Sequence, residues 1–89
     1  MLFPLGNIVA TPASLEDIEH SDTNTRELLD RHCILDAGEL YEDDQQLNRD
    51  AVENGTMILS CFKLNTGVKI YVITEADRSV TTILRRDEY

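Results

Sequence analysis

The sequence predicts an α+β fold: a short N-terminal strand and two or three helices packed on a C-terminal three-stranded antiparallel β meander. Three observations predict it. Up to residue 55, apolar residues recur at helical spacing between capping residues. From Thr56 on they come in short β-branched and aromatic runs separated by turn residues. At 89 residues the chain has room for one core, so 1–89 reads as a single domain with a mainly helical half (1–55) and a meander (56–89).

The first stretch, LFPLGNIVA, suggests a short strand broken or edged by Pro4. Thr11-Pro12 has the form of an N-cap followed by proline at the first helical position. It opens a helix, PASLEDIEH, with Leu15 and Ile18 facing inward. After the breaker SDTN, Asn24 with Glu27 three residues later starts a second helix, TRELLDRHCIL. Its inner face would be Leu28, Leu29 and Cys33, closed by Ile34 or Leu35. DAGEL, around Gly38, is a turn. EDDQQLNRDAVENG is a third helix, acidic at its start and closed by Asn54-Gly55. Its apolar face is thin: Leu47, Ala51 and Val52, with Leu40 or Tyr41 at its entry.

TMILSCFKL, VKIYVIT and VTTIL are the three strands, and Asn65-Thr66-Gly67 is the first hairpin connection, with Gly67 free to take positive φ. The second connection, EADRS, holds Glu75, Asp77 and Arg78 close together, as many active-site loops do. A hairpin tip seldom supplies the cleft a catalytic carboxylate needs, and these residue types suit a turn. Asp77 would accept from the amides of Arg78 or Ser79, and Glu75 would pair with Arg78.

Charge divides the chain. Residues 1–55 hold thirteen carboxylates against three arginines, or −10, and residues 56–89 hold four against five cations, or +1, which sums to the net −9. Nucleic acid and anionic membrane need a basic footprint, so neither is expected as a direct partner. A basic protein surface is the natural counterpart. The candidate partner-binding residues lie in GELYEDDQQLNRDAVE, namely Glu39, Glu42, Asp43, Asp44, Asp50 and Glu53. Carboxylates three or four apart on a helix are about 5–6 Å apart, close to the spacing of phosphates along a strand. The run lacks the alternation, glycine and terminal glutamate of a calcium loop.

Glycine-rich phosphate loops, catalytic triads and zinc quartets do not occur in the sequence, so no enzymatic activity, metal or cofactor is expected. His32 and Asp36, four apart, could share a helix face and centre a small-ligand or metal-binding regulator. The simpler role for His32 is to meet the helix C-terminus or to pack. Cys33 and Cys61 match no ligand spacing and read as reduced, buried residues. The start of the chain lacks a basic region before its apolar residues, and no run is long enough for a membrane span, so a cytoplasmic location is expected.

ELLDRH, EDDQQLN, ILSCFKL and above all KIYVITEADRSVTTIL followed by EY resemble a family of small, plasmid-related proteins of bacterial mobile elements. The chain departs from that family at RHCILDAG, where Leu35 and Ala37 replace a glycine and a tryptophan, and at Arg85-Arg86, where leucine and proline are common. The resemblance implies an accessory protein of a mobile element and assigns no catalytic residue.

Together these readings point to a non-enzymatic acidic interaction protein that inhibits a host nucleic-acid-handling defence complex, such as a CRISPR effector or a restriction enzyme, by imitating DNA. The alternatives are the regulator centred on His32 and Asp36, and a self-associating module using an exposed edge strand, VTTIL, as a homodimer seam.

Overall fold

The computed structural model describes residues 1–36, 38 and 42–89, with 42–44 described by their backbone alone. The order is β1 (Asn7–Ala10), α1 (Pro12–Glu19), α2 (Thr25–Cys33), α3 (Glu42–Asn54), β2 (Ile58–Lys63), β3 (Lys69–Thr74) and β4 (Val80–Arg85), then one 3-10 turn (Arg86–Glu88). This is the α+β arrangement expected, with one addition. β1 pairs parallel to β4, so the sheet order is β1-β4-β3-β2 and VTTIL is an internal strand. The edges are β1 and β2. A parallel partner some seventy residues away leaves no local sign in either segment, and β4 alone reads as the end of a meander.

The helix starts follow their caps. Thr11 Oγ1 accepts from the Ser14 amide, and Asn24 Oδ1 accepts from the Glu27 amide. The Glu27 carboxylate turns to the Thr23 hydroxyl. α2 ends in a Schellman motif: the Asp36 amide donates to the Arg31 carbonyl and the Leu35 amide to that of His32. Leu35 takes φ 61°, a region glycine favours. A fork from Arg31 to the Asp36 carboxylate ties the same two positions together.

All three helices lie on one face of the sheet. Residues opposite one another in the ladders share a face, so Ile58, Ser60 and Phe62 join Thr74, Val72 and Ile70, then Thr81 and Ile83, on the helix side. The main cluster is Ile18, Leu28, Phe62, Leu64, Ile70, Val72 and Ile83, and a second gathers Phe3, Ala51 and Ile58. The other face carries Leu59, Cys61 and Lys63 beside Ile73, Tyr71 and Lys69, with Tyr89 edge-on to Tyr71.

Two helices are rotated from their expected faces. In α1, Ser14 rather than Leu15 lies inward with Ile18, and Leu15 is 46% exposed. Ser14 Oγ sits 3.1 Å from the Ile83 carbonyl, an approach to the strand backbone that a leucine would block. In α3, Asn48, Ala51 and Val52 face the protein and Leu47 is 63% exposed. Leu40 and Tyr41, expected at the entry of α3, lie outside the described residues.

Candidate functional site

The expected partner-binding residues fall on or just before α3. Asp50 and Glu53 are exposed there; Glu42, Asp43 and Asp44 belong to the helix by their backbone, and Glu39 lies outside the described residues. The helix surface is ordered by its own side chains. Arg49 Nη2 donates to Gln46 Oε1 at 2.6 Å, and Gln46 Nε2 donates to Asp50 Oδ1 at 3.0 Å.

Helical charge lies in two bands. By sequence α3 sums to −4 and α1 to −3, while α2 has two arginines against two carboxylates. α1 packs on β4, α2 on β3 and β2, and α3 on β2, so near-neutral α2 separates the acidic helices. One carboxylate of α1 is committed internally: Asp17 receives a fork from Arg85, whose donated hydrogen bond holds the acid below its ordinary value. Glu16 and Glu19 remain exposed.

The Glu75–Ser79 connection is a turn. The Arg78 amide donates to the Glu75 carbonyl, with Arg78 at φ 61°, and Asp77 Oδ1 accepts from the Ser79 amide and hydroxyl. These bonds hold the Asp77 carboxyl below its usual range. The Arg78 guanidinium does not meet the Glu75 carboxylate as expected. It donates to the carbonyls of Glu75, Thr56 and Ala51, the last in the final turn of α3, and lies over the Phe3 ring. A cation is well placed at the Ala51 carbonyl, because the last turn of a helix carries the negative end of its dipole. Its role is to lock the hairpin tip to α3 and the N-terminal segment.

His32 is the residue whose setting the sequence least revealed. It is 0% exposed and meets the sheet instead of the helix C-terminus. Its Nδ1 lies 2.6 Å from Ser60 Oγ and its Nε2 lies 2.8 Å from Thr74 Oγ1. Thr74 Oγ1 is 2.7 Å from Thr81 Oγ1, which donates to the Leu5 carbonyl at 2.8 Å. The direction of this chain follows from its end. A carbonyl only accepts, so Thr81 donates to it, Thr74 donates to Thr81, and Nε2–H donates to Thr74. In the neutral ring that proton is the one it carries, and Nδ1 accepts from Ser60. Burial depresses the imidazole to about 4.

A serine hydroxyl donating to a histidine nitrogen is also the first half of a nucleophile–base pair. Here Ser60, His32, Thr74 and Thr81 are each 0% exposed, so a substrate has no access. Both ring nitrogens are occupied, and Asp36 is paired with Arg31 at the surface, so His32 and Asp36 do not converge on one site. Among the described residues no cluster of three or more histidine, cysteine, aspartate or glutamate side chains is placed to hold a metal. Cys33 and Cys61 are both buried, and burial raises the Cys33 thiol. Among the described residues no helix is long and apolar enough to cross a membrane.

Compared with family models, curated proteins and solved structures, the chain matches none.

Proposed function

We propose that this chain is a non-enzymatic interaction protein of a mobile genetic element. It presents the carboxylates of α3 to a basic protein surface, and its target is a nucleic-acid-handling host-defence complex such as a CRISPR effector or a restriction enzyme. The observation that carries the reading is the segregation of charge: −10 in residues 1–55, exposed at Asp50 and Glu53, against +1 in residues 56–89. A surface of one sign steers and docks an opposite surface, and carboxylate rows compete for a groove built for phosphates. The resemblance of ELLDRH, EDDQQLN and KIYVITEADRSVTTIL to plasmid-related proteins supplies the mobile-element context. The internal commitments of His32, Asp36, Asp17 and Arg78 leave the acidic helices as the chemistry most available to a partner.

The test is capture from nuclease-treated host lysate, followed by identification of the retained protein. A nucleic-acid-binding complex should be retained at low salt and released by high salt or by competing DNA. Replacing Glu42, Asp43, Asp44 and Asp50 together by their amides should abolish capture with an unchanged circular-dichroism spectrum. Undiminished capture by that variant would overturn the reading.

A further inference from the structure

The two edges of the sheet are finished differently. On β2 the outward backbone positions Leu59 and Cys61 have partners. Asn48 of α3 lays its carboxamide against Leu59, accepting from the Leu59 amide and donating to its carbonyl, and Gly38 forms a parallel bridge to Cys61. On β1, Asn7 and Thr11 donate inward, to the Ser79 and Ile83 carbonyls of the β4 side. Strand alternation therefore turns the N–H and C=O groups of Ile8 and Ala10 outward, away from the sheet. Ile8 is 50% exposed and Val9 47%. The residue types that usually blunt an edge, an in-strand proline or a charged side chain, are missing from NIVA, and the first charged side chain of the chain is Glu16.

From this we infer that β1 is a self-pairing edge, and that a second copy of this chain docks on it antiparallel about a two-fold axis through Val9. The inference is independent of the acidic-face reading. Three features fit a second copy. With Val9 opposite its own symmetry mate in a non-hydrogen-bonded pair, Ile8 stands opposite Ala10 of the other copy, and both of these residues turn their amide and carbonyl outward. Each such pair exchanges two hydrogen bonds, four in all. The side chains are complementary as well: a large Ile8 meets a small Ala10 on the helix side, and two β-branched valines meet on the other face.

Charge is the third feature. Two chains of −9 repel, yet the strand order puts α3, the most acidic helix, at the far edge on β2. In a continuous sheet of eight strands, the two β2 strands are separated by seven spacings of ~4.8 Å, or about 34 Å. That is several times the ~8 Å screening length at physiological salt. Glu16 and Glu19 of α1 lie nearer the seam and oppose it mildly, so added salt should strengthen the dimer. That dependence is opposite in sign to release of a basic partner by salt. A four-residue seam buries little surface, which places the association in the weak, micromolar class.

Sedimentation of the intact chain from micromolar to millimolar concentration tests the proposal. Wild type should pass from monomer to dimer, at lower concentration when salt is raised. Ile8→Pro removes an outward N–H and spares the bonds to β4, so it should remain monomeric at every concentration. Val9→Lys sets two cations at the symmetry axis without touching the backbone. It should also remain monomeric, with an unchanged circular-dichroism spectrum. A wild type that is monomeric throughout would overturn the inference, whether or not another protein's strand can use the edge. So would a Val9→Lys variant that dimerises as well as wild type.

Discussion

The β1 and β2 edges end one sheet under the same physical demand, since each leaves a row of backbone donors and acceptors without a strand partner. β2 meets the demand within the chain, through the Asn48 carboxamide and the Gly38 bridge. β1 leaves it to water or to another chain. The difference teaches that an edge is protected by what the neighbouring helix offers. Asn48 can reach β2 because α3 packs there, whereas α1 packs on β4, one strand in from the β1 edge.

The hydroxyl chain through His32 runs under both edges, from Ser60 on β2 to the Leu5 carbonyl just before β1. His32→Ala should therefore do the most harm. It opens a cavity and leaves Ser60 without its acceptor and Thr74 without its donor, a loss of about 4 kcal/mol measured by urea unfolding. The same residue sets a pH dependence. The folded imidazole at about 4 lies below its ordinary 6.5, so between those values the unfolded chain binds more protons. Stability should be full above the ordinary value and fall by roughly 3 kcal/mol as pH drops toward the folded one. The lowered carboxylates Asp17, Asp36 and Asp77 act only at lower pH, below their ordinary 3.8. A His32→Asn chain that still folds should lose the upper phase and keep the lower one.

Gly38→Ala comes next. A Cβ there would stand 2.2 Å from the Cys61 carbonyl oxygen, at φ +70°, so the bridge guarding β2 must part. We expect a loss on the order of 3 kcal/mol, seen as a lower melting midpoint. Asn48→Ala is gentler, about 2 kcal/mol, because the Leu59 groups it exposes can be reached by water. It also sharpens the comparison of edges. If Asn48 guards β2, light scattering should show the variant associating beyond a dimer, through both edges. Asp17→Asn is the smallest effect: a slight, salt-sensitive drop in melting midpoint, because Arg85 remains partly exposed.

Much of this architecture was legible. Caps at Thr11 and Asn24, the Gly55 stop and the turn around Gly67 are local chemistry, and local chemistry is written in adjacent residues. The buried hydroxyls were harder to read, since serine and threonine within a strand suit either face. A signal existed: Thr74 and Thr81 flank the hairpin symmetrically, and Ser60 alternates with Ile58 and Phe62. Asn48 was missed because Leu47 beside it is the more apolar residue, and hydropathy is blind to an amide shaped to imitate a strand. The Asp50 and Glu53 positions were legible as exposed acids because charge on a thin-faced helix has nowhere else to go.

The parallel pairing of β1 with β4 also bears on how the chain folds. Val80 lies opposite Asn7, and Leu5 is reached by a side chain 76 positions later, so the first strand made must wait for the fourth before it has a partner. The helices and the β2–β3 hairpin can form from local contacts in the meantime, but loop closure over this span is slow. Residues 1–15, which carry no charged side chain, leave their apolar side chains unsheltered until β4 has been made. That interval is the window in which a chaperone has the most to bind.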